Sequence, residues 1–228
     1  MVLMMPFILM SYLIFKGKKS SDVAFIFLNI WAFCFNMMMA YRYKVDNRHY
    51  VRNEQAYIFV ANHSSYLDAV ALVRVIPKSF KPLGKVEMLK VPIFGRIYKK
   101  LVVLIDRSSK ESRERCVIDL KSEISNGQSI LIFPEGTMNT TADLLSNFYD
   151  GAFRIAIETQ TPILPVTLVN TRELLPRGNP KAIKQGIIQC IFSEEISPKG
   201  LTNDDVLVLK EKVFKEIESQ LIKYKASA

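Results

Sequence analysis

The sequence predicts an α/β domain with a central, mostly parallel or mixed β-sheet flanked by helices, preceded by two apolar helices at the N-terminus. From about residue 57 onward, short apolar runs rich in β-branched residues alternate with helical patterns. Such runs are typical of strands that are covered on both faces. The first forty residues hold two longer apolar stretches instead, at 2–15 and 23–40.

The two N-terminal stretches are short for membrane spans. Fourteen helical residues cover about 21 Å and eighteen cover about 27 Å, against a hydrocarbon core of about 30 Å. Lysines follow the first stretch rather than precede it, which argues against a cleaved signal peptide. We therefore expect residues 1–44 to form a membrane-associating two-helix segment and residues 45–228 to form the α/β domain.

Charge placement favours helices that dip into one leaflet over a spanning hairpin. A hairpin would leave cations on both sides of the bilayer, and the positive-inside rule disfavours a cation-rich loop on the far side. The cations concerned lie between the stretches and after the second one: Lys16, Lys18, Lys19, Arg42, Lys44, Arg48 and Arg52. The expected location is the cytoplasmic face of the cell membrane, either monotopic or as a short hairpin.

The strands and helices of the body can be placed by their patterns. The predicted strands are 57–61, 101–106, 129–133, 163–169 and 186–192, and the predicted helices are 66–76, 87–99, 109–126, 151–160 and 203–224. The last helix is the clearest, because "TNDD" is a start signal and five apolar residues follow at helical spacing.

Composition narrows the partners. The net charge of +9 favours a polyanion or an anionic membrane. No aromatic RNA-binding block, zinc-ligand spacing or helix-turn-helix pattern accompanies that charge, so nucleic acid is not expected. The three cysteines are scattered without C-x-x-C spacing, which indicates buried free thiols in a reducing compartment. We expect no metal site.

His63 is the histidine with an obvious chemical neighbour, Asp68. With Ser65 as the N-cap of the following helix, Asp68 occupies its third position and completes a capping box. The carboxylate then leans back toward His63, where it can fix one imidazole nitrogen and leave the other free as a base. Locally, an equal reading is that Asp68 only caps the helix and His63 is an ordinary loop residue.

Other polar residues follow predicted strands at the same sheet edge. Glu135 and Gly136 in "FPEGT" come directly after the strand 129–133, and Arg107 ends "LIDR" after the strand 101–106. Ligands of α/β proteins usually bind at this carboxyl edge. A buried Glu135 needs a partner, which substrate hydroxyls can provide, and Arg107 suits a phosphate. Lys85 lies near another strand–helix junction.

Taken in order, these blocks resemble the glycerolipid acyltransferase family, whose best-known members are 1-acyl-sn-glycerol-3-phosphate acyltransferases. Asn62, His63 and Asp68 match the family's Asn-His-x-x-x-x-Asp signature, and "VVLIDR" resembles an apolar run that ends in arginine. "FPEGT" matches Phe-Pro-Glu-Gly-Thr, "TPILPV" resembles the proline-framed strand, and Lys85 matches a basic position in between. The similarity covers residues 57 to about 195.

The resemblance implies an acyltransferase without cofactor or metal. His63 would be the general base, Asp68 would orient it, and the donor would be acyl-CoA or acyl-carrier protein. The acceptor would be a lysophospholipid of the membrane, most simply 1-acyl-sn-glycerol-3-phosphate. Arg107, with Lys85, would bind its phosphate, and the segment Glu135–Thr137, which contains Gly136, would shape the glycerol pocket.

One departure bears on the acceptor. The family often continues its third signature with Arg-Ser, whereas this chain has Met138 and Asn139. A lysolipid with a different headgroup is therefore an alternative acceptor. Two further readings are a membrane-bound thioesterase, which would use the same base on water, and a non-catalytic lipid-binding protein.

Overall fold

The sheet of this protein has seven strands among the residues that its computed structural model describes, which are 2–92, 94–179 and 181–225. In chain order they are β1 (Tyr41–Asp46), β2 (Ile58–Ala61), β3 (Phe80–Lys85), β4 (Val103–Ile105), β5 (Ser129–Ile132), β6 (Ile163–Val169) and β7 (Gly186–Phe192). All seven belong to one sheet, with the spatial order β1-β7-β6-β2-β5-β3-β4.

Strand direction brings five strand ends to one edge. β2 pairs in parallel with β5 and β6, and β3 pairs in parallel with β5 and β4. Only β6 and β7 are antiparallel among these pairs, which makes the sheet mixed. The predicted α/β class is confirmed, and the carboxyl ends of β2 to β6 share an edge.

Helices cover both faces of the sheet. They are α1 (Met5–Ile14), α2 (Gly17–Met39), α3 (Leu67–Val75), α4 (Phe94–Leu101), α5 (Lys110–Ser125), α6 (Gly151–Thr159), α7 (Thr171–Leu174) and α8 (Val206–Lys225). Core residues of α5, α6 and α8 pack on one face, and those of α2 and α3 pack on the other. The apolar stripe predicted for the last helix is buried throughout, at Val206, Leu209, Val213, Ile217 and Leu221.

Two strands were not expected from the sequence. β1 reads "YRYKVD" and alternates polar with apolar residues at the sheet's end, while β3 reads "FKPLGK" and contains proline, glycine and two lysines. The helix predicted over 87–99 is also divided. A 3₁₀ turn covers Val86–Lys90 and α4 starts only at Phe94, after Pro92, whose missing N–H disfavours a continuous helix.

The N-terminal helices differ most from expectation. The segment expected to link two apolar helices is helical, so α2 has 23 residues and is about 35 Å long. By length and composition it could cross a membrane. Its inner side nevertheless packs on the domain, with Ala24 and Ala32 fully buried, and the Asn29 side chain donates to the Val73 carbonyl at 2.8 Å. β1 runs across the expected domain boundary at residue 44.

Candidate active site

The loop after β2 is fixed by Asn62. Its buried side chain donates to the Leu168 carbonyl at 2.9 Å and accepts from the Leu168 amide at 2.8 Å. This pair of bonds ties the end of β2 to its neighbour β6. The next residue, His63, therefore starts from a defined point at the carboxyl edge of the sheet.

The side chains of His63 and Asp68 meet. His63 Nδ1 lies 2.8 Å from Asp68 Oδ2, and the same oxygen accepts from the amides of Ser64 at 2.7 Å and Ser65 at 2.8 Å. Asp68 is fully buried, whereas 16% of the His63 side chain is exposed. A carboxylate on Nδ1 favours the tautomer with hydrogen on Nδ1, which leaves Nε2 as the acceptor.

The capping box forms only in part. α3 begins at Leu67, two residues after the expected cap, and its N-cap residue Tyr66 makes no side-chain cap bond. The Ser65 hydroxyl accepts from the Leu67 amide at 3.2 Å rather than from the amide of Asp68. The reciprocal bond, from the Ser65 amide to the Asp68 carboxylate, is present as predicted.

Glu135 holds the loop of His63 through backbone groups. One carboxylate oxygen accepts from the His63 amide at 2.7 Å, and the other accepts from the Ser146 amide at 2.8 Å. Burial raises the pKa of this carboxyl group, although hydrogen bonds from the same amides oppose the shift. The partners that Glu135 needs are thus supplied by the chain, and its expected contact with substrate stays a prediction.

Phe133 and Asn139 were not singled out as site residues by sequence. The Phe133 ring stacks on the His63 ring, with centroids 4.0 Å apart. The Asn139 amide donates to the His63 carbonyl at 2.6 Å, and its side chain bonds within its own loop, to Asp143 and Thr141. Asn139 therefore orders the loop around the imidazole. The sequence comparison, in which Asn139 only replaces the family's serine, did not indicate this role.

Arg107 and Gly136 lie in contact. Arg107 Nη1 donates to the Gly136 carbonyl, and the guanidinium carbon is 6.0 Å from the centroid of the Tyr149 ring. Gly136 has φ +73°, and a Cβ built there would lie 2.5 Å from Arg107 Nη1. A side chain at position 136 would thus strain the backbone and displace the arginine.

Lys85 and Thr137 are less closely tied to the site. Lys85 ends β3 at the same sheet edge, in register with Ile105, and is exposed. Thr137 is also exposed, next to Gly136. Neither residue lines the two cavities described next. Their predicted contacts with substrate therefore stay predictions.

Two cavities lie on opposite faces of the sheet and meet at Phe133. The α2–α3 cavity has a volume of about 350 Å³ and is lined mainly by apolar side chains of α2, α3, α4, β3 and β5. The α5–α6 cavity has about 660 Å³ and combines an apolar interior with arginines. Phe133 lines both cavities, whereas His63 lines neither and stacks on the Phe133 ring.

The arrangement suits general-base chemistry. A histidine with one nitrogen held by a buried carboxylate can accept a proton at the other nitrogen. Within the described residues, no three His, Cys, Asp or Glu side chains are grouped closely enough to hold a metal ion.

Comparison with known proteins agrees with these features. The profile of the family described as Acyltransferase matches residues 42–169. The 1-acyl-sn-glycerol-3-phosphate acyltransferase alpha of Mus musculus is 30% identical over 180 residues, which cover 75% of this chain and 61% of that protein. A Chlamydomonas reinhardtii protein of the same activity name is 27% identical over 172 residues, covering 75% and 51%. The chain thus spans about half to three-fifths of the length of these relatives.

Among solved structures, the 1-acyl-sn-glycerophosphate (LPA) acyltransferase PlsC of Thermotoga maritima is similar in fold. The TM-score is 0.80 at 23% identity, and the match covers 97% of this chain and 88% of the other. The similarity therefore includes the N-terminal helices as well as the sheet.

Proposed function

The chain belongs to the acyltransferase family, and we propose that it moves a fatty acyl chain from acyl-CoA or acyl-carrier protein to the free hydroxyl of a lysophospholipid. The acceptor that we propose is 1-acyl-sn-glycerol-3-phosphate, which is the substrate that the names of the relatives indicate. The product is then phosphatidic acid. The observation that carries the proposal is the 2.8 Å contact between His63 Nδ1 and the buried carboxylate of Asp68.

The proposed reaction uses the free imidazole nitrogen as the base. Nε2 of His63 takes the proton of the acceptor hydroxyl while its oxygen forms a bond to the thioester carbonyl carbon. The tetrahedral intermediate collapses, the carbon–sulfur bond breaks, and the thiolate takes the proton back from the imidazolium. The carboxylate of Asp68 stabilises that imidazolium and fixes the ring's orientation.

The α2–α3 cavity suits the acyl chain of the donor. Its wall is apolar and is formed by side chains such as Phe25, Leu28 and Val73, and it extends to Phe133 beside the imidazole. Apolar surface in such a cavity stabilises a bound hydrocarbon chain in proportion to the area removed from water. A thioester carbonyl near Phe133 would then lie beside the base.

Cations and the loop after β5 suit the acceptor. Arg107 is exposed, and its guanidinium donates one hydrogen bond among the described residues, to the Gly136 carbonyl, so that further N–H groups of the guanidinium are available for a phosphate. We propose Lys85 as a second cation near this phosphate, and Glu135, Gly136 and Thr137 as the wall around the glycerol. The bond from Arg177 to the Met138 carbonyl at 3.3 Å brings another arginine to this loop.

The function is tested with purified full chain, long-chain and acetyl thioesters as donors, and lysophosphatidate, a lysophospholipid with a larger headgroup and monoacylglycerol as acceptors. We expect phosphatidate from long-chain donors and little transfer from the acetyl donor, because the acetyl group leaves the apolar cavity empty. Arg107→Gln should raise KM for anionic acceptors about tenfold, since a hydrogen bond between charged groups is lost. The control is Arg115→Gln, which removes an exposed arginine of α5.

Four results of this assay would contradict the proposal or one of its parts. Hydrolysis of the thioester without transfer indicates a thioesterase, and the absence of both reactions indicates a lipid-binding protein. Equal loss on neutral and anionic acceptors in Arg107→Gln removes Arg107 from phosphate binding. A preference for the lysophospholipid with the larger headgroup would show that lysophosphatidate is not the main acceptor.

We also propose that α1 and the outer side of α2 lie in the cytoplasmic leaflet of the membrane. Several large apolar residues are exposed there, including Leu13 at 86% and Ile14 at 63%, and the exposed Lys16 lies two residues after Ile14. Leu13→Glu combined with Ile14→Glu should abolish flotation with anionic vesicles. Ile222→Glu, at a 54% exposed position on α8, is the control. Unchanged flotation of the double variant would contradict this placement.

A further inference from the structure

The α5–α6 cavity lies on the opposite face of the sheet from the cavity that suits the acyl donor. Successive residues of a strand point to opposite faces, and on β5 Leu131 lines the α2–α3 cavity whereas Ile132 lines the α5–α6 cavity. At the end of the strand, Phe133 lines both. A second ligand in the α5–α6 cavity can therefore contact the phenyl ring that stacks on the imidazole.

The lining of this cavity has two chemically different parts. The interior contains apolar side chains, including Leu120, Ile132 and Ile155. The lining also includes three arginines from three different segments: Arg107 after β4, Arg113 on α5 and Arg154 on α6. An apolar interior beside guanidinium groups is complementary to a single-chain anionic amphiphile.

Among the described residues, these arginines make few ion pairs within 4.0 Å. The carboxylate of Asp150 is 3.9 Å from Arg154 but accepts from Lys210 at 2.8 Å, so a lysine already balances it. Arg113 Nη1 donates to the Arg107 carbonyl, and no ion pair within 4.0 Å is formed by Arg107 or Arg113 in the part of the chain that the structure describes. An anion in this cavity could accept charge-assisted hydrogen bonds from these guanidinium groups.

We propose that the α5–α6 cavity is the acceptor subsite, in which Arg113 and Arg154 bind the phosphate beside Arg107 and the apolar interior holds the acceptor's acyl chain. This inference rests on the proposed function and adds to it two phosphate-binding residues and a place for the lysolipid tail. The donor and acceptor chains then occupy opposite faces of the sheet, and the glycerol hydroxyl lies near Phe133, between them.

The phosphate contacts are tested by kinetics on the full chain. Arg113→Gln and Arg154→Gln should each raise KM for lysophosphatidate about tenfold, because each removes a charge-assisted hydrogen bond. KM for the acyl donor and turnover of monoacylglycerol should stay unchanged. Arg115→Gln is the control, because it removes the same charge from an exposed position outside the cavity lining, on the helix that carries Arg113.

The place of the acceptor's chain is tested by filling the interior. Val117→Trp introduces a large side chain at a lining position, whereas Ile118→Trp places the same side chain at a position that is 66% exposed. Val117→Trp should weaken the binding of long-chain lysophosphatidate at least tenfold more than the binding of a short-chain analogue. Ile118→Trp should affect the binding of both to the same extent. Equal effects of Val117→Trp on both analogues would contradict the placement of the acceptor's acyl chain in this cavity.

Direct binding separates this inference from the proposed function. An ether-linked lysophosphatidate is titrated calorimetrically into the wild type, Arg154→Gln and Arg115→Gln. Binding that only Arg154→Gln weakens supports the subsite even where no acyl transfer is detected, in which case the proposed function alone fails. The proposed subsite is wrong if the wild type transfers acyl groups and KM for lysophosphatidate is the same in all three variants, Arg113→Gln, Arg154→Gln and Arg115→Gln. A raised KM for the acyl donor would assign the cavity to the donor and overturn it as well.

Discussion

His63→Ala is expected to lower kcat by about 10²–10⁴-fold with every acceptor, because it removes the proposed general base. The loss should be the same for anionic and neutral acceptors, since the proton is taken from the hydroxyl in either case. Initial rates of product formation at saturating donor and acceptor measure it. KM for the acceptor should change little if the imidazole acts mainly in the transition state.

The chain offers a matched control for this variant, because it contains two histidines. His49 is exposed in the turn that follows β1 and packs near Tyr50, with ring centroids 4.5 Å apart. His49→Ala should keep wild-type activity. Full transfer by His63→Ala, in protein with an unchanged circular dichroism spectrum, would remove the imidazole from the mechanism.

Asp68→Asn is expected to lower kcat by about 10²–10⁴-fold while the protein stays folded. The amide has nearly the same shape as the carboxylate, and its oxygen can still accept from the Ser64 and Ser65 amides. The negative charge that stabilises an imidazolium is lost, and the tautomer of His63 is no longer dictated by an acceptor alone. Parallel measurement of kcat and of the melting temperature distinguishes this effect from unfolding.

Because Asp68 is buried, even this small change disturbs the hydrogen bonds around its side chain. Asp68 Oδ2 takes the contacts with His63 and the two amides, whereas Oδ1 has no hydrogen-bond partner among the described residues. An amide nitrogen at Oδ1 would be a buried donor without a partner, and at Oδ2 it would oppose two N–H groups. Asp204→Asn, at an exposed position before α8, is the control. Activity near that of the wild type in Asp68→Asn would contradict an orienting role.

Much of the fold could be predicted because its central strands are apolar throughout. β6 and β7 have the predicted bounds, and β2 and β5 differ by one residue at an end. β1 and β3 could not be found in this way, because a strand at the sheet's end alternates and β3 contains Pro82 and Gly84. Their positions depend on pairing with β7 and β5, which the local sequence does not encode.

One contact at the candidate site could be predicted to the level of single residues, because a local spacing sets it. The approach of Asp68 to His63 follows from a helix that starts between them, and the structure has that contact. The partners of Glu135 could not be predicted, since the His63 amide is 72 residues away in sequence and is brought close by the sheet alone. The same holds for Phe133, whose stacking on the imidazole depends on neighbouring strand ends.

Both the N–H and the C=O of His63 are hydrogen-bonded to one stretch of chain. Its N–H is bound by Glu135 and its C=O by the amide of Asn139, four residues later. The position of the imidazole therefore depends on the conformation of that stretch. A substitution between these two residues, at a position that does not contact the acceptor, can still displace the proposed proton acceptor. A fall in turnover with unaltered acceptor affinity is the expected signature of such a change.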